Sequence, residues 1–253
     1  MARSGVRHTA QPVAHQHIDG GARDLAEALQ QTIAGEVRFD TGSRALYATD
    51  LSIYRQVPVG VVIPRTLDDV VATVRACRER GVPIVGRGCG TSLAGQCCNV
   101  AVVIDFSKYL NHIMALDAAG RTATVQPGVI CDAVRQAAAR HHLTLAPDPA
   151  THAYCTLGGM IGNNSCGAHT VMGGKMVDNV EELELLTYDG LRMRVGHTSD
   201  SELEQIINQG GRRGDIYARL RALRDRYLPL IRERYPRIPR RVSGYNLDAL
   251  LPE

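Results

Sequence analysis

Apolar positions along the chain fall into helical and strand-like spacings in alternation. Leu25, Leu29 and Ile33 recur every fourth residue and predict a short amphipathic helix over 22–33, behind a flexible arm over 1–22. A polar and aromatic segment, Tyr47 to Arg55, leads to a strand at 60–64. Thr66 and Asp69 have capping-box spacing, and Leu67, Val70, Val71, Val74 and Cys77 mark one face of a helix that stops at Gly81. Strands at 83–85 and 101–106 then flank a glycine-rich stretch. Strand, helix, strand and loop in that order make an α/β unit with its loop at a strand's carboxyl end, where open sheets bind ligands.

The second half repeats the theme in different residues. Residues 122–126 alternate like a strand, Pro127-Gly128 turns the chain, and Ile130, Val134, Ala137 and Ala138 predict a helix to about residue 140. A brief strand at 143–146 runs into Pro147-Asp148-Pro149. The long stretch that follows has little regular patterning, and an unpatterned loop of that length inside a domain is usually functional. Runs at 180–187 and 192–195 flank Asp189-Gly190 and read as a β-hairpin. Ser199 and Glu202 cap a short helix, and Ile216, Leu220, Leu223, Tyr227, Leu230 and Ile231 lay an apolar stripe along a longer one.

Composition narrows the function classes. At 253 residues and 44% hydrophobic content, the chain can bury a substantial core. A net charge of +3, no tryptophan and two phenylalanines argue against nucleic-acid binding. Neither a secretory leader nor a membrane span is predicted, so the chain reads as cytoplasmic. The charge is uneven: residues 212–241 hold eleven arginines against three acids. A solvated helical face is the ordinary explanation, and a peripheral contact with an acidic partner or membrane lipid is the functional one. Seven cysteines without a C-x-x-C pair spell out neither a disulfide framework nor a metal site.

The candidate chemistry lies in the first glycine loop, Gly86-Arg87-Gly88-Cys89-Gly90-Thr91-Ser92-Leu93-Ala94-Gly95-Gln96. Successive glycines let several N–H groups converge on one anion, so the loop reads as a phosphate cradle, against the plainer reading of a turn. A dinucleotide fingerprint fails because Thr91 or Leu93 takes the third glycine's place. A phosphate-loop NTPase fails because Gln96 and Cys97 replace the lysine and hydroxyl after Gly95. The later loop, with Thr156-Leu157-Gly158-Gly159 and Asn163-Asn164-Ser165-Cys166-Gly167, is again glycine-rich and nearly uncharged.

With both loops counted, residues 60–195 resemble the flavin-binding domain shared by vanillyl-alcohol oxidase, berberine-bridge enzyme and the D-lactate, glycolate and D-2-hydroxyglutarate dehydrogenases. Within that family the runs 48–58 and 158–169 look most like long bacterial proteins that fuse the flavin dehydrogenase to an iron-sulfur part. The resemblance implies an α+β fold of the PCMH type with two subdomains, each a small sheet with helices. It divides the chain into 1–34, the arm and short helix; 35–198, the FAD-binding domain, with subdomains 35–112 and 113–198; and 199–253, a basic helical extension in which the domain is incomplete at its C-terminus.

The same resemblance implies FAD with its pyrophosphate between the loops. Arg87, Gly88, Cys89, Gly90, Thr91, Ser92 and Gly95 would form one wall. Pro147, Asp148, Thr156, Gly158, Gly159, Asn163 and Gly167 would form the other, with Val180 meeting the adenine. Thr91 stands where covalently flavinylated relatives carry histidine, which implies non-covalent FAD. The implied reaction is oxidation of a D-2-hydroxy acid, with electrons passed to an acceptor protein or a fused iron-sulfur part. The family's later G-S-E-G-T segment and substrate domain have no counterpart here, so His169 is the local candidate for a catalytic base and His152 a lesser one, both open to a structural reading. Alternatives are an FAD-carrying module that needs a partner chain, and a nucleotide-binding protein of another kind.

Overall fold

The computed structural model describes residues 16–238, 240–242 and 244–251; the predicted arm lies outside them as far as residue 15. From there helix α1, Gln16–Thr32, already runs through the rest of the predicted arm, six residues ahead of the expected start at 22. Leu25, Leu29 and Ile33 bury the predicted face.

A four-stranded sheet follows. Its strands are β1 (Glu36–Arg38), β2 (Gly60–Ile63), β3 (Ile84–Arg87) and β4 (Val102–Asp105), in the order β1-β2-β4-β3. Strand β1 runs antiparallel to β2, while β2, β4 and β3 are mutually parallel. Every residue of β2 and β4 is buried, as expected of central parallel strands covered on both faces. Val62 and Val102 point to α1 and to α3 (Leu67–Glu79), sharing a core with Leu25, Leu29 and Cys77. Val61, Ile63 and Val103 face the other way, against Tyr47, Val85 and Tyr109. The short helix α2, Thr41–Leu46, starts at Asp40, whose carboxylate accepts from Ser43 N–H.

The predicted capping box of α3 is formed, and Asp69 does more than close it. Its carboxylate also accepts from the N–H groups of Ala34 and Arg65, at 2.9 and 2.8 Å. One buried acid therefore ties the end of α1 to the start of α3.

The second half holds two hairpins rather than one sheet. Strands β5 (Ile113–Asp117) and β6 (Thr122–Val125) pair antiparallel, as do β7 (Glu182–Leu186) and β8 (Arg192–Gly196) around Gly190 at φ 91°. Between them lie α4 (Cys131–Ala139), α5 (Leu157–Gly162), α6 (Thr170–Gly173) and a 3-10 turn, Met176–Asn179. The predicted strand at 143–146 does not form. Leu145 instead packs into an apolar cluster with Val129, Val134, Leu157 and Met160, and the segment has no strand beside it to pair with.

Helices α7 (Asp200–Gln209) and α8 (Gly211–Arg234) follow, α7 with the predicted Ser199–Glu202 capping box. The stripe along α8 is largely exposed: Ile231 is buried, but Leu220, Leu223, Tyr227 and Leu230 each keep 38–47% of their surface. No described helix is long and apolar enough to cross a membrane.

Candidate functional site

The first glycine loop leaves β3 at its carboxyl end, beside the end of β4. Gly90 and Gly95 adopt φ of 71° and 79°, conformations that side-chain-bearing residues rarely take. Among the described residues, no backbone N–H from Gly88 to Ser92 donates to a protein acceptor. A run of five uncommitted donors at a strand end is what an anion cradle requires.

The loop is held from behind by 47–54. The Arg87 guanidinium donates to the carbonyl oxygens of Tyr47 and Thr49, at 3.3 and 2.8 Å, and lies over the Tyr47 ring. Leu51 N–H donates to Gly90 O at 3.1 Å, and a Cβ on Gly95 would come within 2.8 Å of Tyr54. Arg87 is thus engaged with the backbone of Tyr47 and Thr49. Tyr47 in turn donates to buried Asp105 at 2.6 Å, and burial pushes its phenol far up, with the Asp105 contact adding to the shift. Asp105 also accepts from Ser107 N–H and Oγ, at 2.8 and 2.7 Å. Sequence reasoning missed this brace because its members lie far apart in the chain.

The second loop is shaped by its own backbone. Thr156 caps α5 by accepting from Gly159 N–H at 3.4 Å. Gly158 N–H donates to Pro127 O at 2.8 Å, and a Cβ there would press on Pro127. Gly167 N–H donates to Thr170 Oγ1 at 2.7 Å, and the residue is packed tightly on Asp148. Gly158 and Gly167 therefore serve close packing, with their own N–H groups committed to protein. Pro147 is buried, and Val180 packs into the cluster around Met176.

Two contacts bring the walls together. Gly88 lies so close to Thr156 that any side chain at 88 would overlap the threonine hydroxyl and methyl. Gln96 Nε2 donates to Asn163 Oδ1 at 3.1 Å. Residues 88–96 and 156–163 thus form one continuous surface that offers the uncommitted amides of 88–92, with Leu93 exposed at its side. Gly159 and Asn163 are exposed on it, and Ser92 Oγ contacts Cys97 Sγ at 3.1 Å. Such a surface fits a dinucleotide pyrophosphate, which needs close approach and oriented dipoles.

Both candidate histidines are paired with carboxylates. His169 Nδ1 meets Asp148 Oδ2 at 2.5 Å, and its backbone N–H donates to the other oxygen at 3.0 Å. The His169 contacts hold the Asp148 carboxyl below its usual range. His152 Nδ1 meets Asp132 Oδ2 at 2.8 Å, which ties it to α4. The His169 side chain is 66% exposed.

Comparison with known proteins identifies the family. The family described as "FAD binding domain" matches residues 58–196. D-2-hydroxyglutarate dehydrogenase of Pseudomonas putida is 33% identical over 234 residues, 91% of this chain but 23% of that protein. Glycolate oxidase subunit GlcD of Escherichia coli K12 is 33% identical over 190 residues, 72% of this chain and 38% of that protein. The chain thus spans well under half the length of these curated relatives. Among solved structures, 6-hydroxy-D-nicotine oxidase from Arthrobacter nicotinovorans superposes with a TM-score of 0.58 at 26% identity, over 65% of this chain and 36% of that one. Alkyldihydroxyacetonephosphate synthase gives 0.61 at 20% identity over 68% and 38% of the two chains, a likeness of fold. By fold, by loop geometry and by the span of the match, this chain belongs to the FAD binding domain family.

Proposed function

We propose that this chain holds FAD non-covalently between its two glycine loops, as the cofactor-binding portion of an oxidoreductase acting on a D-2-hydroxy acid. The observation that carries the reading is the Gly88–Thr156 apposition, which joins two separately encoded loops into one surface beside five uncommitted amides. Residues 35–112 supply the first wall and 113–198 the second. When bound, the flavin supplies the two-electron acceptor for hydride removal from the substrate carbon.

The residues of this chain bind and orient. Amides of Gly88 to Ser92 meet one phosphate, and Gly159 and Asn163 line the opposite side. Thr91 has no nucleophilic ring nitrogen to attach to the flavin. His169 is a positioning residue: its ring and N–H fix Asp148, on which Gly167 packs. The names of the relatives, D-2-hydroxyglutarate dehydrogenase, glycolate oxidase and D-lactate dehydrogenase, support the substrate class. Electrons would leave to an acceptor protein or a fused iron-sulfur part, and the basic face of α8 would serve any peripheral contact with an anionic membrane.

Reconstitution tests the reading in stages. Purified chain incubated with FAD and desalted should retain oxidised-flavin absorbance, and acid should then release all colour to the supernatant. A chain that retains no flavin overturns the cofactor assignment, and a yellow pellet overturns the non-covalent one. Anaerobic bleaching of the full-length protein by D-lactate, glycolate or D-2-hydroxyglutarate tests the substrate class, and failure with all three would exclude it.

A further inference from the structure

Two thiols that the cofactor reading leaves unused face each other beneath the second wall. Cys131 opens α4, and Cys155 immediately precedes Thr156, the cap of α5. An isolated antiparallel bridge pairs Ile130 with Thr156, which sets Cys131 directly opposite Cys155, with Cys131 N–H donating to Cys155 O at 3.0 Å. Opposed residues of an antiparallel pair point to the same side with Cα atoms about 4.5–5.5 Å apart. That lies inside the span of about 4.4–6.8 Å that a disulfide bridges. Both side chains belong to one apolar cluster, with residue exposures of 0% and 5%, and the Cys131 thiol donates to Pro147 O at 3.8 Å.

We propose that Cys131 and Cys155 are an oxidative modification site, a dithiol that a peroxide converts to a reversible disulfide. Cys155 keeps 5% of its surface while Cys131 keeps none, so Cys155 is the sulfur that peroxide reaches first. Its thiolate attacks one oxygen of hydrogen peroxide: an S–O bond forms, the O–O bond breaks, and hydroxide leaves and is protonated to water. Cys131 then attacks the sulfenic sulfur: the S–S bond forms, the S–O bond breaks, and the second water departs with the Cys131 proton. Two thiols and one peroxide give one disulfide and two waters, and a dithiol reductant reverses the change. Cys77 illustrates the contrast, since it is buried alone and burial pushes its thiol up to about 11.

The inference does not depend on FAD. The folded full chain is titrated with hydrogen peroxide, alkylated, and its cross-links are mapped by mass spectrometry. The expected result is a Cys131–Cys155 link, reversed by dithiothreitol, and a higher melting temperature for the oxidised chain. In Cys131→Ser, Cys155 should stop at the sulfenic acid and be trapped by dimedone. Absence of the link at peroxide doses that oxidise exposed Cys89, its appearance only after unfolding in urea, or mapping to another pair would overturn the proposal. Mapping of the unmutated chain decides the matter even where a serine variant fails to fold.

Discussion

Gly88 and Thr156, one from each glycine loop, touch so closely that position 88 has no room for a Cβ. Thr156 also caps α5 through Gly159 N–H. Gly88→Ala should destabilise the chain by about 1–3 kcal/mol through overpacking. Thr156→Ala should cost about 1 kcal/mol as a lost cap. Because Thr156→Ala removes the atoms that the new methyl would strike, the double variant should be more stable than the two single losses combined, with a coupling of about 0.5–3 kcal/mol. Urea melts of the four proteins measure it, and strict additivity would show that the loops do not meet.

Arg87→Lys tests the arginine as a brace. Lysine cannot reproduce the fork onto Tyr47 O and Thr49 O, so stability should fall by about 1–3 kcal/mol. Arg87→Gln removes the charge and separates a brace from a phosphate ligand: as a brace, Arg87 adds no charge to the cofactor contact, and the salt dependence of FAD binding should be the same in this variant and the unmutated chain. A flatter salt dependence in the variant would identify a direct phosphate contact.

Acid should weaken the junction of β1 with the segment after β4. Hydrogen bonds from Lys108 and Tyr109, at 2.5 and 2.6 Å, and the Arg38 ion pair hold Glu36 down at about 2 against an ordinary 4.5. A carboxyl lowered by folding contributes stability that is complete above the ordinary value and is lost as pH falls toward the folded one. Glu36→Gln should therefore be less stable than the unmutated chain at pH 7, and the two melting curves should converge between pH 4.5 and 2. A gap that stays constant through that window would rule out the linkage.

Along α8 the stripe divides into a held and an open part. Ile231→Ala should cost about 2–5 kcal/mol, as for other buried aliphatic truncations. Leu223→Lys, at a residue 38% exposed, should change stability by about 0.5 kcal/mol or less. Thermal melts of the two variants distinguish them, and similar losses would mean that the whole stripe is packed.

What could be read from the sequence was local. Thr66 with Asp69, Ser199 with Glu202, and Asp189-Gly190 each specify a cap or turn within four residues, and each forms. The buried central strands were legible because β2 and β4, up to Asp105, are apolar on both faces. Strand β1 and helix α2 are too short for a periodic signal, and β5 lacks one because its residues are partly or fully exposed. The loops were visible as glycine-rich text, and the resemblance supplied their pairing. The physical means of pairing, Gly88 on Thr156 and Gln96 on Asn163, join residues 68 and 67 positions apart. No spacing rule reaches that far. Residues 143–146 show the converse, a strand-like run that spends its apolar side chain on the core because no neighbouring strand is available.

The first wall is fixed largely by side chains, Arg87 reaching back to the Tyr47 and Thr49 carbonyls and the Tyr54 ring lying against Gly95, whereas the second is fixed mainly by main-chain bonds such as Leu157 N–H to Val129 O and Gly158 N–H to Pro127 O. The two walls should therefore diverge differently in descendants of this sequence. Point substitutions at Tyr47, Tyr54 or Arg87 can shift the first loop a little at a time, a graded adjustment of how the cofactor sits. The second loop offers no such gradation, and insertions or deletions between Pro127 and Gly167 would be needed to reshape it.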